Sequence, residues 1–142
     1  MRFYLLRHGE AAEPGDPRYP NDADRPLTPK GIQRTKLLAH ALRQLGVAFD
    51  VILSSPLVRA RATAEIVERG LHLHGRLELT DHLAPSGDFQ KLVAQLDDLR
   101  PAPKSVLLVG HEPYLSWLIS LLCAGGQSLA RPLKKGGLCR LE

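Results

Sequence analysis

The sequence predicts an α/β fold, a three-layer sandwich in which a mostly parallel central sheet is flanked by helices. Three observations carry that expectation. Short, continuously apolar runs at "RFYLLR" (2–7), "DVILSS" (50–55) and "SVLLVGH" (105–111) read as strands covered on both faces. Segments with helical spacing alternate with them, which is the pattern of a layered parallel sheet. The chain is 142 residues long, enough for one domain that buries roughly two-thirds of its unfolded surface. A single domain over residues 1–142 is therefore expected.

The elements follow in order. After the first strand, residues 11–27 hold four prolines and no apolar period, so they form a surface loop, a candidate rim for substrate recognition. Thr28 and Pro29 open a helix as cap and first turn. Ile32, Thr35, Ala39, Leu42 and Leu45 recur at helical spacing, and Gly46 suits its C-terminal end. The second strand leads to Pro56, which opens a helix running to about Arg69. "LELTDHL" (77–83) fits either a short strand or a loop. "DFQKLVAQLDDL" (88–99) is helical with Asp88 as cap. The third strand leads to a helix from Pro113 to about Leu122, whose Trp117 and neighbouring leucines are assigned to the core. "GGLCRLE" (136–142) reads as a late edge strand that stops short.

Composition narrows the function. The net charge of +4 permits an anionic partner, but the basic residues are scattered and aromatics are 5% of the chain. Nucleic-acid binders present basic stripes or stacking aromatics, so nucleic acid is not the expected partner. No apolar run approaches the roughly 20 residues that cross a bilayer, and "MRFYLLRHGEAAE" is not a secretory signal. Cys123 and Cys139 suit neither a disulfide framework nor a metal site, which places the chain in a reducing cytoplasm. His72 and His74 form an H-x-H pair without a cysteine or carboxylate at ligand spacing, so no metal is expected. His40 reads as half-exposed structure.

In open parallel sheets, ligands bind beyond the carboxyl ends of the strands. Here the first strand is followed by Arg7 and His8, the second by Arg59 in a first helical turn, and the third by His111. Consecutive strand residues point to opposite faces, so Arg7 and His8 share a ligand only if the chain leaves the extended form. Gly9 makes that departure inexpensive, and Gly110 serves His111 in the same way. Arg61 lies about 200° from Arg59 around the helix and pairs with Glu65 on the exposed side. Near the site, Glu10 is the one acid the sequence guarantees.

Two guanidiniums and two imidazoles suit a phosphoryl group. Guanidinium matches phosphate oxygens with paired donors and keeps its charge. A neutral imidazole nitrogen attacks phosphorus and holds it covalently. Neighbouring cations push that imidazole below its usual value of about 6.5. The helix starts at Pro56 and Pro113 add positive dipole ends.

"LRHGE", "SSPLVRARATAE" and "VGHEP", in this order, resemble the histidine phosphatase superfamily, which includes the phosphoglycerate mutases. The shortness of the chain, "RPLTPKG" and "LAPSGD" further resemble its SixA-like phosphohistidine phosphatases. The resemblance implies that His8 is the phosphorylated nucleophile, that Arg7 and Arg59 bind phosphate, and that His111 completes the pocket. Glu10 matches the acidic position after the motif glycine, and Arg25, ahead of "PLT", either braces the loop or binds phosphate. Many superfamily members carry a covering insertion that supplies a proton donor. The short span between Arg59 and His111 leaves little room for one, so the donor is open among His82, Asp81, Glu10 and solvent. A labile P–N bond asks less of an acid than an alkoxide does. The expected function is a monomeric, cofactor-free phosphatase acting on a phosphohistidine-bearing protein. The alternatives are a small-molecule phosphomonoesterase and a phosphate-binding module without turnover.

Overall fold

The computed structural model describes residues 1–124 and 132–141. Its elements are β1 (Arg2–Arg7), α1 (Pro29–Gln44), β2 (Val51–Ser54), α2 (Val58–Gly70), β3 (Leu77–Leu79), α3 (Phe89–Asp97), β4 (Ser105–Gly110), α4 (Tyr114–Ala124) and β5 (Leu138–Leu141), with 3₁₀ turns at Asp22–Asp24 and Asp81–Leu83. The strands lie in the order β3-β2-β4-β1-β5. All neighbours are parallel except β1 and β5. The predicted edge strand is thus present and antiparallel, and Glu142 lies outside the described residues. The ambiguous segment at 77–83 divides into β3 and a turn, where the Thr80 hydroxyl accepts the His82 N–H.

Strand alternation sends consecutive side chains to opposite layers. Tyr4 and Leu6 of β1, Ile52 of β2, and Leu107 and Val109 of β4 pack with Leu42, Phe49, Ala64 and Val67 on the α1/α2 side. Leu5, Leu53, Val106 and Leu108 pack with Leu92, Leu96, Leu115 and Leu118 on the α3/α4 side. The three-layer sandwich expected from the sequence is the observed fold. Among the described residues no helix is long and apolar enough to cross a membrane.

Several details differ from expectation. The buried stripe of α1 runs through Gly31, Thr35, Ala39 and Leu42, whereas Ile32 and Leu45 are exposed. Small residues prevail because neighbours approach closely. A Cβ on Gly70 of α2 would stand 2.6 Å from the Ala39 Cβ, and one on Gly31 would stand 2.2 Å from the Glu10 carbonyl oxygen. Leu45 is the C-cap and lies past the contact with α2. Trp117 is not core but 59% exposed. The apolar helix α4 buries Leu115, Leu118 and Ile119, and Trp117 falls on its outer side, meeting the Phe89 ring edge-on. His40 is exposed rather than half-exposed. Pro56 does not begin α2, which starts two residues later after a turn in which the Ser55 hydroxyl accepts the Leu57 N–H at 3.2 Å. Likewise α4 starts at Tyr114, one residue past Pro113.

Candidate active site

Every parallel strand ends at one edge of the sheet, and the chain leaves each end with a polar group. β1 stops at Arg7, but His8 continues its register through an N–H donated to the Gly110 carbonyl at 3.0 Å. Both side chains reach the same cavity. Gly9 does not adopt a left-handed backbone. It is small because a Cβ there would stand 3.0 Å from Thr35 Oγ1. The Gly9 N–H donates to Thr63 Oγ1 at 3.0 Å, and that hydroxyl donates to the Arg59 carbonyl at 2.7 Å. Thr63 therefore ties the end of β1 to the first turns of α2, which carry Arg59.

The His8 ring is buried, with Nδ1 2.8 Å from the Gly9 carbonyl oxygen. A carbonyl only accepts, so Nδ1 carries the hydrogen and the lone pair sits on Nε2. His111 follows β4. Its Nε2 lies 2.8 Å from Ser55 Oγ, at the end of β2, and its buried Nδ1 has no partner among the described residues. The two rings are 5.2 Å apart between centroids. Burial, with Arg59, Arg7 and Arg25 nearby, pushes the His8 imidazole down from 6.5 to about 4, against an opposing pull from the Gly9 hydrogen bond. Burial and the neighbouring His8 and Arg59 push His111 down from 6.5 to about 3. Both rings are neutral at physiological pH.

The cations are held from behind. Arg7 donates to the Leu133 carbonyl at 2.8 Å. Arg59 donates to the Asp22 carbonyl at 2.9 Å and pairs with Asp22 Oδ2 at 3.1 Å. Arg25 donates from Nε to Asp22 Oδ1 at 2.9 Å and from Nη1 to the Ala12 carbonyl. One carboxylate thus grips two guanidiniums. Partial burial raises the Asp22 carboxyl, but the Arg25 hydrogen bond and the charges of Arg59 and Arg25 hold it below the ordinary range. Arg7 Nε and Arg59 Nε are buried without partners among the described residues. A cavity of about 280 Å³ is lined by Arg7, His8, Arg25, Arg59 and His111, together with Asp22, Pro85, Glu112 and Lys135.

The other sequence candidates stand elsewhere. Glu10 Oε2 accepts the Thr28 hydroxyl at 2.7 Å and borders a neighbouring hollow with Arg34. The Thr28 hydrogen bond holds its carboxyl below the usual range. His82 borders a separate hollow with Lys91 and Asp98, and Asp81 precedes it on the exposed 3₁₀ turn. That turn is held by the Tyr114 hydroxyl, which donates to the His82 carbonyl. Sequence reasoning singled out none of three charged lining residues, Glu112, Asp22 and Lys135. Glu112 had a signal, since it adjoins His111 in "VGHEP". Asp22 lies in the 11–27 loop expected to form a rim, though nothing singled it out within that loop, and Lys135 had no signal, because only the folding of the chain brings it to the cavity. Arg61 lies on the exposed side and pairs with Glu65 at 2.7 Å.

A neutral imidazole among fixed cations at the strand ends suits a phosphoryl group. The chain belongs to the histidine phosphatase superfamily (branch 1), whose family model matches residues 3–92, and it is a phosphatase. Within that superfamily it is similar to the phosphohistidine phosphatase SixA of Escherichia coli, 34% identical over 88% of this chain and 76% of the relative. An uncharacterised protein of Picosynechococcus is 43% identical over 100% of this chain and 85% of its own length. A solved structure of the protein histidine phosphatase SixA complexed with tungstate superposes with a TM-score of 0.85 at 28% identity, covering 99% of this chain and 86% of that one.

Proposed function

We propose that the protein removes phosphate from phosphohistidine on a partner protein, in two steps through a phosphorylated His8. The observation that carries this reading is the His8 ring: Nδ1–H is fixed on the Gly9 carbonyl, so Nε2 keeps its lone pair for phosphorus. In the first step Nε2 bonds to phosphorus as the bond to the leaving nitrogen breaks. Arg7, Arg59 and Arg25 match the phosphoryl oxygens, and because guanidinium does not titrate, they stay charged throughout. His111 completes the pocket as a neutral hydrogen-bonding group. In the second step water releases inorganic phosphate and restores the neutral ring.

The span between Arg59 and His111 supports a protein substrate. It is filled by α2, β3, a 3₁₀ turn, α3 and β4, with no added covering domain. Neither His82 nor Asp81 borders the cavity to protonate a poor leaving group. A leaving imidazole needs that help least. The Escherichia coli relative and the solved tungstate complex both carry the name of phosphohistidine or protein histidine phosphatases, which supports that substrate class. The free thiols Cys123 and Cys139 accord with a reducing cytoplasm, where the enzyme would act as a monomer on a phosphoprotein.

The test is a parallel assay. Phosphohistidine protein should be turned over in preference to phosphorylated sugars and glycerates, without loss on adding a chelator. His8→Ala should lose at least about 10⁴-fold in kcat, since the nucleophile acts as part of a unit. Equal or better turnover of the metabolites would favour a small-molecule phosphomonoesterase of the same superfamily. Phosphate binding with no release would favour a binding module.

A further inference from the structure

We propose that Glu112 is the base of the hydrolytic half-reaction, taking a proton from the water that attacks phosphorus on His8. This rests on the reading that His8 becomes phosphorylated. Glu112 follows His111 and borders the same cavity as His8 and the three arginines. Its Oε2 accepts the Ser116 hydroxyl at 2.6 Å, one turn along in α4. Its Oε1 is shielded from bulk solvent and has no partner among the described residues. An unpaired buried acceptor is costly, and where one persists beside a reactive centre it calls for a functional cause. An ionised carboxylate only accepts, which is what the O–H of an attacking water requires.

The other carboxylates near the cavity are committed elsewhere, and His111 is disfavoured as a proton acceptor. Both Asp22 oxygens are taken, Oδ1 by Arg25 and Oδ2 by Arg59. Glu10 is turned to Thr28 outside the cavity. His111 keeps Nδ1 unpartnered among the described residues, but its burial and the neighbouring cations disfavour a second proton. The nitrogen of His8 that would accept a proton is the one holding phosphorus. Glu112 Oε1 is the carboxylate oxygen without a partner among the described residues, and the Ser116 hydroxyl holds that carboxylate at the border of the cavity.

The step balances. Water oxygen bonds to phosphorus as the P–Nε2 bond breaks, and that electron pair returns to Nε2. One water proton goes to Glu112 Oε1, and hydrogen phosphate departs from a neutral ring whose Nδ1 has kept its hydrogen throughout. The proton then passes from Glu112 to solvent.

Rapid-quench labelling separates the two steps. The donors are ³²P-phosphoramidate and a histidine-rich peptide phosphorylated with it, and the readouts are acid-labile label on His8 and released phosphate. In Glu112→Gln, label should form within about threefold of the native rate but decay at least about 100-fold more slowly, the usual range for a lost base. Formate should restore decay in Glu112→Ala, which a purely structural role would not allow. Glu112→Asp keeps the charge on a shorter arm and should slow decay at least about tenfold without slowing labelling; it serves if the amide variant does not fold. Equal decay in native and Glu112→Gln proteins would overturn the base assignment and leave the covalent reading standing. So would an equal slowing of both steps without rescue by formate. Absence of acid-labile label on His8 in the native protein would overturn the covalent reading itself.

Discussion

Two cationic hollows, one between α1 and α2 and one at the strand ends, differ in how their charges are held, and that difference separates a site from a surface. The larger, about 420 Å³, is bordered by Lys36, His40 and Arg43 from α1 and by Arg69 and His72 near the end of α2. The smaller, about 280 Å³, holds Arg7, Arg25 and Arg59 with His8 and His111. Count of positive groups does not distinguish them. In the larger hollow the basic side chains are exposed, and Arg43 and Arg69 stand in the last turns of their helices, where cations complement the helix dipole. In the smaller one His8, Arg25, Arg59 and His111 are buried, and the arginines are braced by Asp22 or by carbonyls. Held cations do not reorganise when charge moves, whereas solvated ones do. Position, burial and bracing set the smaller hollow apart as the candidate phosphoryl site.

That contrast is breakable. Among the charged groups the largest effect is expected at Arg59→Ala, which removes a held guanidinium and should lower kcat/KM by about 10²- to 10³-fold. A loss under about tenfold would mean that Arg59 serves the fold rather than phosphate. Asp22→Ala leaves every cation in place but frees Arg59 and Arg25. Turnover should fall by about 10- to 100-fold from misplacement alone, with a steeper salt dependence. An unchanged rate would show that bracing is dispensable.

Acid should expose the buried rings. His8 and His111 resist protonation in the folded chain down to about 4 and about 3, while both ionise near 6.5 when unfolded. The unfolded state therefore binds more protons below about pH 6.5, and native stability falls as pH drops through that window. The slope approaches about 1.4 kcal/mol per pH unit for each ring. Asp22, with a lowered carboxyl, loses stability in the same direction at more acidic pH. Chemical denaturation between pH 7 and 4 should show a shallower decline in His8→Asn than in the native chain. Parallel curves would mean that His8 is not held neutral. The smallest effect is expected from Lys36, Arg43 and Arg69 changed together to alanine, which should leave kcat/KM within about twofold because distant exposed charges are screened. A larger loss would give the far hollow a part in recognition.

The framework was legible from local patterns. Apolar runs at 2–7, 50–55 and 105–111 had to be covered on both sides, and the helical segments between them were the cover. The strand-end rule then brought Arg7, His8, Arg59 and His111 to one edge, where the fold assembles them. Legibility failed where one residue depends on a distant contact. Thr35 and Ala39 outrank Ile32 in the buried stripe because Gly31 and Gly70 admit close neighbours. Trp117 sits outside because the inner side of α4 is filled by leucines and isoleucine. Gly9 was expected to be glycine for its backbone freedom and proves to be glycine for want of space.

By itself, then, the sequence determined the layered α/β fold, the edge at which the site forms and the phosphoryl chemistry of its imidazoles and guanidiniums. These follow from periodicity, strand direction and side-chain chemistry, all of which are local. Only the tertiary structure decided which acids join them: Asp22 by a loop that folds back beneath two arginines, Glu112 by its place at the border of the cavity, with Glu10 and His82 bordering other hollows and Asp81 exposed. A side chain's neighbours across the chain are set by packing and loop closure, and no short stretch of sequence encodes them.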